Sequence, residues 1–386
     1  MNPSQAVSRL RQGVPFLRKE LQDEISLRTP FLISTPRFVY ICQYEIPCNG
    51  NCIMCYYGQR NLRGEKRLQN GRFLSERQFT DVLRSLHRLG GKGIAISFTG
   101  GEPLMYRPIY DIVAMATDLG QLFSLTTNGY LLTDKNAGLL VEKGLFNIGV
   151  SLESIDPAIN ETLRPFRNGT RLAMEGIDRI IAHRQRCRSS ISVNIKTTIT
   201  RENFESYPAL VKHYGKIPAV SVTPQPFTLM DSRMDKSISE RLWIRDIDRL
   251  RDVVAELCEL QKQGYALNIE PSALKGFPEY FSEGLENGAV NFDKKVSHSH
   301  QELGTVNKNC RIGFTNLFIE SDGAVKLCLG FPSIGNIHEN SDLEAIWKGE
   351  KAALVRKAIA SCNYVCALSC LRKKPLWQKA RIFLNR

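Results

Sequence analysis

Three cysteines lie close together in the loop formed by residues 47–56. Three residues separate Cys48 from Cys52, and two separate Cys52 from Cys55. A glycine-containing loop with this spacing can wrap one polynuclear metal centre, whereas a zinc site normally takes four protein ligands arranged in C-x₂-C pairs. A chance cluster of buried thiols is a third alternative. Cys42 could be a fourth ligand, but it lies inside a strand pattern, so we predict that it packs in the core.

Three thiolates leave one iron of a [4Fe–4S] cluster without a protein ligand, and a catalytic metal centre needs such an open position. Two residues without side chains, Gly100 and Gly101, could let the backbone approach a ligand, and the Glu102 carboxylate could accept a hydrogen bond from an ammonium group. In isolation this Gly-Gly-Glu-Pro sequence would be an ordinary turn. Further polar residues follow apolar runs later in the chain: Asn128, Ser151, Glu153 and Arg164.

A second group of five cysteines lies near the carboxyl end of the chain. Its members are Cys310, Cys328, Cys362, Cys366 and Cys370. Five thiols can complete one [4Fe–4S] cluster but not two. A structural zinc site with four cysteines is an alternative, and so is a plain cysteine stripe, because the last three cysteines would share one face of a helix.

The remaining cysteines and one histidine pair carry no metal-site pattern. Cys187 and Cys258 stand alone in helix-like segments, where we predict small buried hydrophobic residues. His298 and His300 lie in a polar stretch without a nearby carboxylate or thiol pattern, so we predict exposed loop residues.

Short β-rich runs alternate with amphipathic segments from Phe38 onward. They predict six strands, at residues 38–46, 94–99, 123–127, 147–152, 191–198 and 219–223. Ser75 and Gln78 form a predicted capping box, Pro108 and Thr133 mark later helix starts, and residues 239–263 read as one long polar helix. Six consecutive βα units with right-handed connections give a partial (βα)₆ barrel or an open sheet, with chemistry at the carboxyl ends of the strands.

Composition fits a globular chain of 386 residues with 42% hydrophobic residues. No apolar run approaches the roughly 18 residues of a membrane-spanning helix, and the first residues lack a secretory pattern. We therefore expect a soluble, cytoplasmic protein whose thiols stay reduced. The net charge of +13 favours anionic partners. Six basic residues fall in the last sixteen, which form either a solvated tail or a docking element for an anionic substrate or a membrane surface.

Across residues 37–230 these motifs resemble the radical S-adenosylmethionine (SAM) superfamily. The resemblance implies that Cys48, Cys52 and Cys55 hold a [4Fe–4S] cluster whose open iron chelates SAM. It also implies that Gly100, Gly101 and Glu102 bind the methionyl amino group. Three further residues resemble the set that holds the ribose and carboxylate of SAM: Asn128, Ser151 and Arg164. Glu153 departs from the family pattern, in which many members carry Asp.

The second cysteine group resembles the SPASM or Twitch extension of radical SAM enzymes. The resemblance implies one auxiliary [4Fe–4S] cluster held by Cys310, Cys328 and two of the last three cysteines. The spacing of Cys362, Cys366 and Cys370 departs from the full SPASM pattern. We therefore expect a small α+β, Twitch-like domain with a single cluster and one spare thiol.

The resulting domain division is a helical preface at 1–37, a radical SAM core at 38–278, a linker at 279–308, the auxiliary domain at 309–371 and a basic tail at 372–386. The resemblance implies that SAM is cleaved to a 5′-deoxyadenosyl radical that abstracts hydrogen from an unactivated carbon, in an oxidoreductase, epimerase or bond-forming reaction. Its electron would come from a reductant such as flavodoxin or ferredoxin.

The substrate is predicted to be an anionic small molecule or a peptide. A peptide maturase of the SPASM type is the alternative within the family, and a non-catalytic iron–sulfur or zinc-binding module is the alternative of another class. A nucleic-acid partner is not expected. The Gly100–Glu102 motif argues against the module, because a protein of that class has no use for a SAM site.

Overall fold

The computed structural model describes residues 33–64, 73–228, 234–286 and 312–360. Nine strands belong to one sheet: β1 (Phe38–Gln43), β2 (Ala95–Gly100), β3 (Leu122–Thr127), β4 (Asn147–Ser151), β5 (Ser192–Ile199), β6 (Val220–Pro226), β7 (Asn316–Glu320), β8 (Ala324–Lys326) and β9 (Gly335–Asn336). Their order in space is β6-β5-β4-β3-β2-β1-β7-β8-β9. The six predicted strands are therefore confirmed, with ends shifted by up to three residues.

Helices fill the connections between the strands. Their bounds are α1 (Tyr56–Leu62), α2 (Glu76–Gly90), α3 (Ile109–Asp118), α4 (Asp134–Glu142), α5 (Pro157–Leu163), α6 (Gly169–Arg186), α7 (Tyr207–Tyr214), α8 (Lys236–Leu242), α9 (Ile247–Lys262), α10 (Pro271–Leu274), α11 (Phe277–Glu286), α12 (Ile312–Thr315), α13 (Leu343–Lys348) and α14 (Glu350–Ala360). A 3₁₀ turn covers Pro103–Met105. The predicted capping box starts α2, and Thr133 caps α4.

Strands β1 to β6 are parallel, and each lies beside its predecessor. Right-handed connections that always advance in one direction place all the connecting helices on one face of the sheet. On that face Phe79 of α2 contacts Phe98 of β2 and Phe123 of β3, with ring centroids 5.3 and 6.2 Å apart. This is the partial (βα)₆ barrel architecture that the sequence predicts, with the carboxyl ends of six strands at one edge.

The long helix predicted at residues 239–263 is wrong as a single element. The chain breaks between α8 and α9, where the Trp243 side chain turns inward and its indole N–H donates to the carbonyl oxygen of Phe281 at 3.0 Å. Asp246 then caps α9 by accepting the N–H of Arg249. Burial of the indole stabilises this break between the two helices. The polar sequence pattern of the segment does not indicate it.

The first eight residues of the predicted linker at 279–308 are helical. They belong to α11, which packs on α9 and carries the fully buried Phe281. The rest of that linker, residues 1–32 of the predicted preface and the basic tail lie outside the described residues. The domain division itself stays a prediction.

The segment after residue 312 extends the barrel sheet. Strand β7 pairs in parallel with β1, from Phe38 opposite Asn316 to Cys42 opposite Glu320, and β8 and β9 follow in antiparallel order. The hydroxyl of Ser321 donates to the carbonyl oxygen of Cys42 at 3.2 Å. The sequence-based domain division did not foresee this pairing, because it joins residues 278 positions apart.

A buried arginine ties the helices of this segment together. Arg356 of α14 donates from Nε to the carbonyl oxygen of Gly313 and from Nη2 to that of Trp347, both at 2.8 Å. Its guanidinium lies 4.3 Å from the centroid of the Trp347 ring. Burial lowers the pKa of Arg356 to about 10, still high enough for the cation to persist at neutral pH.

None of the described helices combines the length and the apolar character needed to cross a membrane.

Candidate functional site

The first cysteine loop leaves the carboxyl end of β1 and ends where α1 begins. Cys55 occupies the residue before α1, and its N–H donates to the carbonyl oxygen of Cys52 at 3.1 Å. The N–H of Gly50 points at the Cys48 sulfur, 3.3 Å away. A methyl group on Gly50 would lie 3.5 and 3.6 Å from the sulfurs of Cys48 and Cys52, so these two thiols border the same small space.

Amide side chains fix the shape of this loop. Asn61 donates to the carbonyl oxygen of Gly50 at 2.9 Å, and Asn128 donates to the Oδ1 atom of Asn49 at 2.7 Å. The buried Gln59 donates to the carbonyl oxygen of Ile53 at 2.6 Å. Asn128 was predicted as a cofactor residue, and the structure shows that its side chain holds the cysteine loop to the end of β3.

Gly100 and Gly101 bring the end of β2 against the chain that enters the loop. Gly100 has φ of +150°, and a methyl group there would lie 2.0 Å from the carbonyl oxygen of Gln43. A methyl group on Gly101 would lie 2.1 Å from the carbonyl oxygen of Ile46. The sequence predicts that these glycines let the backbone approach a ligand. The contact seen is between two backbones, and it alone requires glycine at both positions.

Glu102 is 1% exposed, and its carboxylate is occupied mainly by protein donors. Oε1 accepts the N–H of Leu104 at 3.0 Å and the hydroxyl of Thr127 at 2.7 Å, while Oε2 accepts the N–H of Asn128 at 2.8 Å. Burial raises the pKa of Glu102, and these three hydrogen bonds oppose the rise. A carboxylate offers about four acceptor positions, so one on Oε2 is left for a further donor.

A buried ion pair lies beside the loop. Arg164 donates to Oε1 of Glu153 from Nη2 at 2.6 Å and from Nε at 2.8 Å, and its Nη1 atom donates to the Cys52 sulfur at 3.1 Å. The side chain of Glu153 is fully buried, and its Oε2 atom accepts the N–H of Thr198 at 2.6 Å. Glu153 thus connects β5 to the arginine that contacts a thiol of the loop.

Burial and charge act in opposite directions on Cys52. Burial raises the pKa of its thiol to about 12, while the neighbouring Arg164 lowers it. Burial lowers the pKa of Arg164, but the charges of the Cys52 thiolate and the Glu153 carboxylate outweigh this and raise it, so the guanidinium stays protonated. Because a metal is bound by the thiolate, the arginine supplies the charge that favours the ligating form.

The loop suits the predicted cluster. It offers three thiols, an N–H donor to one sulfur and a guanidinium donor to another, the kind of hydrogen bonding that tunes cluster potentials. Among residues 33–64, 73–228, 234–286 and 312–360, no three His, Cys, Asp or Glu side chains converge on a single metal ion. Thiols that each bind a different iron of one cluster need no such convergence.

The remaining predicted residues do not gather at one place in the described part of the chain. Ser151 is the last residue of β4, at the same edge as the loop. Cys328 is partly buried two residues after β8, while Cys310, Cys362, Cys366, Cys370, His298 and His300 lie outside the described residues. Cys42 is buried as predicted, and burial raises its thiol pKa to about 11.

The prediction for Cys187 is wrong, because this residue is exposed at the end of α6, whereas Cys258 is partly buried. Sequence reasoning also missed Asn49, Gln59 and Thr127, which hold the loop and Glu102. Asn49 sits inside the cysteine motif and could have been suspected there. The other two lie in ordinary helix and strand patterns.

Comparison with known proteins gives two family matches. Residues 47–212 match the model of the Radical SAM superfamily, and residues 310–371 match that of the SPASM iron-sulfur cluster-binding domain. The probable GTP 3′,8-cyclase of Methanopyrus kandleri is 29% identical over 176 residues, 45% of this chain and 52% of that protein. The Fe-coproporphyrin III synthase of Methanosarcina barkeri is 25% identical over 226 residues, 58% and 52% of the two chains. The chain spans about half the length of these curated relatives.

Solved structures share the fold. SuiB of Streptococcus suis bound to SAM superposes with a TM-score of 0.60 at 16% identity, covering 92% of this chain and 73% of that one. The anSMEcpe structure with bound SAM gives 0.55 at 18% identity, covering 82% of each chain. The chain therefore belongs to the radical SAM superfamily over residues 47–212 and to the SPASM family over residues 310–371, and domains of these families bind SAM with a [4Fe–4S] cluster and auxiliary iron–sulfur centres, respectively.

Proposed function

We propose that this chain reductively cleaves SAM at a cluster held by Cys48, Cys52 and Cys55. The observation that carries the proposal is the contact of Arg164 with the Cys52 sulfur, in a loop that lies at the carboxyl edge of the parallel strands. With cluster and SAM bound, the site would supply a 5′-deoxyadenosyl radical able to abstract hydrogen from an unactivated carbon of the substrate. A non-catalytic module would not need the charged residues gathered beside the loop.

The side chains beside the loop have donors and acceptors to spare for SAM. Arg164 uses one N–H of Nη1 on Cys52 and directs Nε and Nη2 to Glu153, which leaves one N–H on each terminal nitrogen for a carboxylate. The remaining acceptor position of Glu102 suits the ammonium group. Ser151 adds a hydroxyl at the same edge. Gly100 and Gly101 act indirectly, by placing Glu102 against the loop.

The substrate proposal is an anionic small molecule or a peptide. The relatives are named for GTP, haem and porphyrin chemistry, which favours anionic small molecules. SuiB is bound to a precursor peptide in one structure, so a peptide maturase is the second candidate. The net charge of +13 suits an anionic substrate of either kind.

The second cysteine group is proposed to hold one auxiliary [4Fe–4S] cluster through Cys310, Cys328 and two of the last three cysteines. Lys326 pairs with Phe318, which pairs with Tyr40 in the middle of β1. Cys328 follows two residues further from the carboxyl edge, so along the strands it lies at least about 10 Å from the first loop. This separation favours electron transfer over direct ligation of a substrate bound beside the first cluster. A flavodoxin or ferredoxin is the proposed reductant.

The test is anaerobic reconstitution with iron, sulfide, SAM and dithionite. Changing Cys48, Cys52 and Cys55 together to Ala is expected to abolish formation of 5′-deoxyadenosine, measured by chromatography. The matched control is Cys187→Ala, which removes an exposed thiol and should leave the rate unchanged. Undiminished SAM cleavage in the triple variant would overturn the proposal.

A further inference from the structure

On strands β4 to β6, the face of the sheet away from the helices is polar. A closed parallel barrel normally fills its interior with branched apolar side chains. Here Asn147 donates to the hydroxyl of Ser192 at 2.7 Å, and Asn194 donates to the hydroxyls of Ser221 and Thr223 at 2.8 and 2.7 Å. Apart from Thr197, the outward residues of the same strands are apolar and buried, so the two faces have opposite chemistry. An inner face of this kind is built for a polar ligand rather than for packing.

A lysine crosses this inner face. Lys196 of β5 reaches over β4 to β3, where its Nζ atom lies 2.8 Å from the hydroxyl oxygen of Thr126. The residue beneath it on β4 is Gly149, and a methyl group there would lie 2.8 Å from Cε and 3.2 Å from Cδ of the lysine. Glycine at this position therefore leaves the room in which the lysine side chain lies.

The strand that carries the lysine is linked to the cysteine loop through a chain of contacts. Thr198 is two residues further along β5, on the same face, and its N–H donates to the carboxylate of Glu153, which holds Arg164 against Cys52. Two residues of a strand span about 7 Å. The lysine thus lies one side-chain row below Thr198, which is linked to the loop through Glu153 and Arg164.

We propose that Lys196 and Thr126 bind an anionic group of the substrate, a carboxylate or a phosphate, on the inner face of the sheet. This rests on the proposed function, since it places that substrate beside the SAM-cleaving site. The ammonium group is a compact charge with three donors, and a hydroxyl that accepts from it can donate its own hydrogen to the same anion. Anchoring the charged end there would orient the rest of the molecule toward the cluster.

The test measures acetylation of individual lysines by an N-hydroxysulfosuccinimide ester in the reconstituted full chain, with mass spectrometry of the peptides. Malonate and pyrophosphate are the probes, and malonamide is the neutral match for malonate. Malonate or pyrophosphate should slow the labelling of Lys196 by a factor of 1 + [L]/Kd, where [L] is the concentration of the probe. A probe concentration of ten times the Kd therefore gives about a tenfold slower rate. Malonamide should have no effect. Lys212, an exposed lysine on α7, reports general effects of salt and should react at an unchanged rate.

Gly149→Ala sharpens the test because its methyl group displaces the lysine without removing any charge. The variant should lose protection of Lys196 by malonate and pyrophosphate. Equal labelling of Lys196 with and without both anions in the unmodified chain would overturn the proposal. Full protection by SAM alone would also overturn it, by assigning the lysine to the cofactor. Binding of the probes does not require SAM cleavage, so this inference and the proposed function can fail independently.

Discussion

The two cysteine regions are placed differently on the same sheet. The first loop lies at the carboxyl edge, where Asn128, Arg164 and Asn61 reach it from three separate elements. Cys328 follows a short hairpin added beside β1 and lies toward the opposite edge. A centre that must leave one iron open for a cofactor needs neighbours in fixed positions. A centre that only passes electrons needs ligands and a tuned potential, but no neighbours placed to hold a cofactor at an open iron.

The largest effect that tests this comparison is on iron content. Two clusters require about eight irons and eight sulfides per chain. Changing Cys48, Cys52 and Cys55 together to Ala should halve both values, because the second region keeps its own cluster. Metal analysis after anaerobic reconstitution gives the count. Twelve irons in the unmodified chain would require a full SPASM domain with non-cysteine ligands. Zinc in place of the iron that remains in the triple variant would make the second region a structural zinc site.

Glu153→Gln tests whether the first region depends on its buried ion pair. Removing one partner leaves Arg164 buried without its countercharge, which costs about 3–5 kcal/mol of unfolding free energy. Urea denaturation measures the loss. The matched control is Glu205→Gln, which breaks an exposed pair with Arg249 at 2.9 Å and should cost less than about 1 kcal/mol. Similar losses in the two variants would show that the buried pair has no special structural role.

Glu102→Gln is expected to have a smaller effect, on the affinity for SAM. Loss of a charge-assisted hydrogen bond to the ammonium group weakens binding by roughly 1.5–3 kcal/mol, or about ten- to a hundredfold. Equilibrium dialysis measures it. The amide must also face the N–H of Leu104 or Asn128, or the hydroxyl of Thr127, so urea denaturation of the same variant separates a binding effect from a folding effect. Unaltered affinity would place the ammonium group elsewhere.

The smallest effect is expected for one of three single changes in the second region. Only two of Cys362, Cys366 and Cys370 are needed to complete a cluster with Cys310 and Cys328. Single changes to Ala should therefore give two variants that lose about four irons and one that loses almost none. Three equally damaging changes would mean that no thiol is spare, and the one-cluster assignment would be wrong.

Local patterns predicted much of the first region. The strands were found because each apolar run is short and bounded by turn residues, and the loop was found because its three cysteines are adjacent in sequence. The structural role of Glu153 was not foreseen. Its partners Arg164 and Thr198 lie 11 and 45 residues away, so their contact depends on the fold of β4 against β5.

Long-range packing explains the other misses. Nothing local marks Asn316 as the neighbour of Phe38, since parallel pairing leaves no turn between the strands. The break before α9 depends on a pocket for Trp243 that forms only when α11 is in place. Cys187 follows an amphipathic pattern, but α6 ends there and the thiol faces solvent.

The pairing of β7 with β1 also has a consequence for biosynthesis. Until residue 320 has left the ribosome, one side of β1 lacks this partner, and unpaired strand edges are templates for aggregation. Contacts between such distant residues form late, because a long loop must close first. The cysteine loop directly follows this strand. If the first cluster is inserted before β7 has docked, the sheet beside it is still incomplete. A maturation factor that covers the open edge of β1 would then protect both this edge and the cysteine loop.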